Sequence, residues 1–164
     1  MPYTQDVWNG LYEAITKGDE EAINTLLFSQ SIHTKGWHGA GWAAEAASTN
    51  PEAKDKLIFF LQQNATEWKG QLALFNIVAD YNCKGGYFTD EEYHQLKKLF
   101  FDNWSLFLVE LSQNIVGNNA IISQIQNVIS DDDYLEDGFF TEEQFDELKS
   151  CYEIGIDSIL EKID

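Results

Sequence analysis

The chain has 164 residues, a mass of 18.8 kDa and a hydrophobic content of 44%, enough for one compact domain that buries about 70% of its unfolded surface. Its 28 acidic residues face ten lysines, arginine does not occur, and the formal net charge is −18. This balance argues against stand-alone binding to nucleic acid or to an anionic membrane, which need cations to neutralise phosphate. Without arginine there is also no bidentate clamp on a phosphate group.

Periodicity is helical almost throughout, and proline occurs only at Pro2 and Pro51. Val7, Leu11, Ala14 and Ile15 fall on one helix face. Gly18 ends that helix and Asp19 reads as the N-cap of the next, whose stripe is Ala22, Ile23, Leu26 and Leu27. A loop over 30–41, holding Gly36, Gly39 and Gly41, leads to a short helix through Trp42, Ala43, Ala46 and Ala47. Asn50-Pro51 is a restart signal, a capping residue followed by proline at the first helical position, and Leu57, Ile58 and Leu61 continue that helix inward.

From Thr66 a further helix carries Trp68, Leu72, Phe75 and Ala79, and the stretch from Asn82 to Gly86 stops it. Thr89 opens the next, with Tyr93, Leu96, Leu99 and Phe100. Trp104, Phe107, Leu108, Leu111 and Ile115 form another stripe, and Asp102-Asn103 leaves open whether one helix or two run through this region. After a turn at Gly117-Asn118-Asn119 come Ile121, Ile122, Ile125, Val128 and Ile129. An acidic loop leads to the last helix, with Phe145, Leu148, Tyr152, Ile159 and Ile163. No segment alternates with period two between hairpin turns. The expectation is an all-α fold of eight or nine helices, packed as helical hairpins in a single compact domain.

The amino-terminal residues show neither the basic start nor the apolar stretch of a signal peptide. The longest apolar run, Leu106 to Val109, is stopped by Glu110, far short of the ~20 residues of a membrane span. A cytoplasmic location is expected. Cys83 and Cys151 fit no metal or redox spacing and are expected as free thiols of a reducing compartment rather than a disulfide.

One local repeat stands out. Gly86 to Lys97 recurs 52 residues later at Gly138 to Lys149. Each copy is a helix start, with Thr89 or Thr141 as N-cap and Glu92 or Gln144 closing a capping box. Phe88/Tyr93 and Phe140/Phe145 are placed as hydrophobic staples. The pattern is also similar to the back half of an EF-hand calcium loop and its exiting helix. Counting Asp133 as loop position one places Asp137 at five, Gly138 at six and Phe140 at eight. Leu135 then occupies position three, and Gln144 stands where a bidentate Glu is needed. The earlier copy has Glu92 at position twelve but Tyr81, Cys83 and Gly85 at the front. A degenerate calcium-binding or scaffold role is therefore the alternative reading.

A second repeat covers more of the chain. Residues Leu11 to Leu27, with Ala14 inside, Gly18 at the turn and Leu26-Leu27 at the end, resemble the paired helices of an ankyrin repeat. A shift of about 32 residues brings Ala46, Asn50, Glu52, Ile58 and Phe59 under Ala14, Gly18, Glu20, Leu26 and Leu27. The signature that opens such repeats is missing, Gly39-Ala40-Gly41-Trp42 standing near its place, and the match fades beyond residue 65. The resemblance implies a stack of helical hairpins over residues 1–65.

Catalytic patterns are absent. His33 and His38 flank Trp37 without zinc spacing, and His94 sits among acids beside Tyr93. There is no phosphate-binding loop, dinucleotide fingerprint or nucleophile elbow. No cofactor, metal or enzymatic activity is expected. Trp37 and Trp42 are expected to wedge helices together.

Charge is the functional clue. Residues 1–82 carry ten acids and five lysines, net −5, and residues 83–164 carry eighteen acids and five lysines, net −13. Between Asp131 and Glu147 there are nine acids and no lysine. Acids there give steering and interleaved aromatics, Tyr134, Phe139, Phe140 and Phe145, give anchoring, as on surfaces that receive a basic partner. The expected docking residues are Asp131, Asp132, Asp133, Tyr134, Glu136, Asp137, Phe139, Glu142 and Glu143. By size, charge and composition the chain resembles bacterial immunity proteins, which cover the active sites of cognate toxins. That implies a cytoplasmic inhibitor of a basic toxin or nuclease. DNA-mimic inhibitors are a further resemblance of the same kind, although the first half of this chain is nearly balanced in charge.

Overall fold

A computed structural model describes residues 5–28, 39–79, 83–114, 119–131, 133–136 and 138–163. These residues form ten helical segments, and among them there is no strand beyond an isolated bridge between Lys84 and Phe88. The fold is all-α. The chain divides into two compact units, Met1–Asn103 and Trp104–Asp164.

The first unit contains α1 (Gln5–Thr16), α2 (Glu20–Leu27), α3 (Gly39–Ala47), α4 (Pro51–Gln63), α5 (Trp68–Val78) and α6 (Asp90–Asp102). Helix α1 ends in a Schellman turn. The Asp19 N–H reaches back to the Ala14 carbonyl at 3.1 Å and the Gly18 N–H to Ile15 at 2.8 Å. Gly18 takes φ +85°, a left-handed conformation that glycine adopts without a Cβ penalty. Asp19 then turns round as the N-cap of α2, accepting from the Ala22 N–H at 3.0 Å. Asn50 does the same for α4, accepting from Glu52 at 3.0 Å with Pro51 at the first position.

These turns also tie the hairpins together. The Lys56 ammonium donates to the Gly18 carbonyl at 3.0 Å and the Asn50 amide to Thr16 at 3.4 Å, so α4 supplies partners for carbonyls that the end of α1 leaves open. Helices pack like on like, α1 against α3, α2 against α4 and α3 against α5, while α5 packs on α6. Helix α3 permits this because Ala40, Ala43, Ala44, Ala46 and Ala47 are its buried side chains. In α4 the core is carried by Ala53, Leu57 and Leu61. Ile58 is half-buried and Phe59 is exposed, unlike Leu26 and Leu27 at the corresponding positions of the sequence alignment, which are fully buried.

The face of α1 is rotated from the one its spacing predicts. Trp8 and Ile15 are buried, Leu11 and Ala14 half-buried, and Val7 is exposed. The large indole of Trp8 wins the inward position and meets Trp42 edge-on with centroids 5.9 Å apart. Helix α5 begins at Trp68 rather than Thr66, because Asn64 to Glu67 form a turn closed by the Glu67 N–H on the Asn64 carbonyl at 3.0 Å. Helix α6 stops at Asn103, whose amide caps the Leu99 carbonyl at 2.9 Å, so two helices occupy the stretch that the sequence left undecided. His33, His38 and Trp37 lie outside the described residues.

The second unit contains α7 (Trp104–Asn114), α8 (Asn119–Ile129), the single turn α9 (Asp133–Glu136) and α10 (Glu142–Ile163). Helices α7 and α8 both pack against α10. Among the described residues the buried ones here are Trp104, Phe107, Leu108, Leu111, Ile125, Val128, Phe140, Phe145 and Leu148. Cys83 is buried and Cys151 half-buried, and neither is in a disulfide. Burial, and to a lesser degree the Glu147 carboxylate, push the Cys151 thiol up from its ordinary value.

Candidate partner-binding surface

The acidic segment is positioned by the links between α8, α9 and α10. Asp131 follows α8 and its Oδ1 accepts from the Asp133 N–H at 3.0 Å. That local turn starts α9 in the way a short acidic side chain favours. After α9 the Tyr134 carbonyl accepts from both Phe139 and Phe140, at 3.0 and 3.2 Å, and Gly138 between them takes φ +77°. The chain then enters α10 through the expected capping box. The Thr141 N–H donates to Gln144 Oε1 at 3.0 Å and the Gln144 N–H to Thr141 Oγ1 at 3.1 Å.

The equivalent box at Thr89 forms in the first unit, with distances of 2.9 and 3.2 Å to Glu92. There the Glu92 carboxylate also receives Lys54 of α4 at 3.0 Å. In both copies the residue at the twelfth position of a calcium loop is therefore engaged in capping its own helix. Among the described residues no group of three or more His, Cys, Asp or Glu could hold a metal ion.

The tight turn sorts the aromatic side chains into two layers. Phe140 is buried against Trp104 (centroids 5.8 Å apart) and stacks on Phe145 at 5.9 Å. Trp104 in turn stacks on Phe107 at 5.8 Å. Phe140 and Phe145 thus belong to the core, and their alternation with acids in sequence reflects helix and turn geometry rather than exposure. Tyr134 and Phe139 form the outer layer. Both are half-buried, they meet edge-on at 5.8 Å, and Phe139 packs edge-on to Phe140 at 4.6 Å. A ring pair held this way presents apolar area without needing to be ordered on contact.

The carboxylates surround that pair in sequence. Asp133, Glu136, Glu142 and Glu143 are exposed and Asp131 is half-buried, while Asp132 and Asp137 lie outside the described residues. Asp146 and Glu147 are exposed one turn beyond Glu142 and Glu143 on α10. Four acids at i, i+1, i+4 and i+5 make one continuous anionic stripe. The spacing in the sequence was sufficient to place Asp146 and Glu147 in it. None of the described acids between 131 and 147 is ion-paired. The ion pairs Lys54–Glu92, Lys56–Glu20, Lys56–Glu52, Lys69–Glu67 and Lys98–Asp102 all belong to the first unit. Lys149, the nearest lysine in sequence, lies over the Phe145 ring at 4.6 Å.

The chain matches no protein-family model, no curated protein and no solved structure. The surface is therefore read from its own chemistry. Glu142 and Glu143 favour the positive end of α10, which gives two of the acids a structural use. Asp146 and Glu147 lie past that end and repel the acids one turn before them, at a cost of about 0.2–0.5 kcal/mol per i,i+4 pair. Uncompensated carboxylates that flank a half-buried ring pair in sequence are chemically suited to a cationic, partly apolar surface.

His94 is exposed on α6. Nearby, burial and then the Lys84 charge hold the Lys97 ammonium below its ordinary value. Among the described residues no helix is long and apolar enough to cross a membrane.

Proposed function

We propose that the chain is an acidic protein-binding inhibitor of the immunity or antitoxin kind, acting in the cytoplasm on a basic cognate toxin or nuclease. The observation that carries this reading is the set of exposed, unpaired carboxylates on α9 and α10 that flank the half-buried Tyr134–Phe139 pair in sequence. A net charge of −18 draws a cationic partner from a distance, and the stripe orients it during encounter. Once docked, the ring pair supplies desolvated contact area and the carboxylates occupy the cations with which a nuclease would hold phosphate. Inhibition then follows from coverage and requires no chemistry by this chain.

The test is a tagged pull-down from the native host at low salt and at ~1 M salt, where screening shortens the Debye length to ~3 Å. The captured protein is then assayed for toxic or nuclease activity with and without the chain. The reading expects one basic protein, retained less well at high salt, whose activity the chain suppresses. Asp133→Lys with Glu136→Lys and Glu143→Lys should slow association several-fold with the fold intact. Association that is unchanged at low salt removes this surface as the docking site, and a captured protein whose activity is unaffected removes the inhibitor reading.

A further inference from the structure

Six consecutive residues of α5, Gly70 to Phe75, are buried, so that stretch of helix has no solvent face. An apolar sequence suits such a position, and Leu72, Ala73, Leu74 and Phe75 provide one. Gln71 does not. It is 1% exposed, the one amide or charged side chain that is buried among the described residues, and neither Oε1 nor Nε2 has a hydrogen-bond partner. In water the same carboxamide uses two donors and an acceptor with two lone pairs. Enclosing it without partners forfeits those bonds, and nothing in the folded arrangement returns them.

Two further features weaken the same turn. The N-cap, Glu67, makes no side-chain bond to the first N–H groups of the helix, so the stabilisation of a side-chain cap is missing from this residue. Gly70 adds the backbone freedom of glycine inside a helix. It is fixed there because a Cβ would fall 1.7 Å from the Asn64 carbonyl oxygen. The opposite end of α5 is fastened instead. Phe75 stacks on Phe100 at 5.7 Å, and the Val78 carbonyl accepts from the Tyr93 hydroxyl at 2.7 Å. The deficits therefore fall in the first turn, where Lys69 lies over the Phe28 ring at 5.1 Å, while the ring stack and the hydroxyl bond hold the far end.

We infer that the first turn of α5, Trp68 to Gln71, is a built-in opening point of the first unit. It detaches ahead of the rest of the helix and carries the Gln71 carboxamide into water while Leu74 to Val78 stay docked. Opening recovers the lost amide bonds. The fold therefore resists it less here than in the apolar turns that follow.

Native-state hydrogen exchange on the whole chain tests this. The Gln71 N–H is bonded to the Glu67 carbonyl at 2.9 Å and would be well protected in a helix that opens only as a whole. The expected result is protection of the Gln71, Leu72 and Ala73 amides about tenfold or more below that of Ile77 and Val78. Gln71→Leu and Gln71→Met should close most of that gap. Equal protection along α5 in the unaltered chain overturns the inference, and it does so even if neither variant folds. So does a wider gap in both variants, because it would mean that the carboxamide holds a stabilising partner in solution.

Discussion

The Tyr93 hydroxyl of α6 donates to the Val78 carbonyl of α5 at 2.7 Å within the buried part of the first unit. Val78 is the last residue of α5, where carbonyls run out of intrahelical donors, and a side chain from the neighbouring helix supplies one. Tyr93→Phe keeps the ring and removes only the donor. The expected cost is about 1–3 kcal/mol, the penalty for a buried acceptor left unmet, read by urea denaturation. A loss near zero would mean that the carbonyl finds water instead.

Gly70 makes the opposite kind of demand. Alanine is the better helix former by about 1 kcal/mol, so Gly70→Ala would stabilise an isolated α5. Here the added methyl meets backbone atoms of Asn64, at 1.7 Å from its oxygen and 2.4 Å from its carbon. The expected outcome is a net loss of about 2 kcal/mol or more, with the denaturation midpoint moving down. A rise in midpoint would show that the turn after α4 yields easily.

Glu92 carries a pH dependence of defined sign. Burial alone would raise its carboxyl, but the bonds from Thr89 and the Lys54 ammonium outweigh that and hold it below the ordinary glutamate value. A carboxyl lowered on folding stabilises the protein at every pH above its unfolded value. That contribution fades as pH falls through the folded value. Glu92→Gln should therefore be less stable than the unaltered chain near pH 7. The two should converge as the pH falls from about 5 to 3, measured as thermal midpoints across the range. A constant difference would mean that the carboxylate charge plays no part.

Phe140 and Phe139 are neighbours with different duties. Phe140→Ala empties a buried position between Trp104 and Phe145 and should cost about 3–5 kcal/mol. Phe139→Ala removes a half-buried ring and should cost about 1 kcal/mol, while weakening capture of a basic partner. Denaturation followed by tryptophan fluorescence, with the partner assay beside it, separates the two. Equal losses of stability would place Phe139 in the core as well.

Local signals in the sequence are decisive wherever one residue sets the backbone. Gly18 and Asp19 specify a turn and the next helix start, Asn50-Pro51 specify another, and Thr89 and Thr141 each recruit the residue three places on. Faces were harder to read, because they depend on what lies opposite. Val7 and Trp8 are adjacent and both apolar, and only the pairing with Trp42 shows which one turns inward. Gly70 and Gln71 carry no pattern of their own, and their meaning arises from the Asn64 backbone and from burial on every side. In the acidic stretch composition identified the charge, but it could not show that Phe140 and Phe145 are withdrawn into the core while Tyr134 and Phe139 stay at the rim.

The alanines of α3 set a scale for the whole first unit. With methyl groups as the only buried side chains on that helix, its neighbours can approach to the short end of the usual interaxial range, about 8 Å. A helix that thin acts as a spacer of fixed gauge, and α1, α2, α4 and α5 all rest on it. Any larger side chain at Ala43, Ala44, Ala46 or Ala47 would displace several helices at once. The plainest segment of the chain is therefore the one with the least freedom to vary.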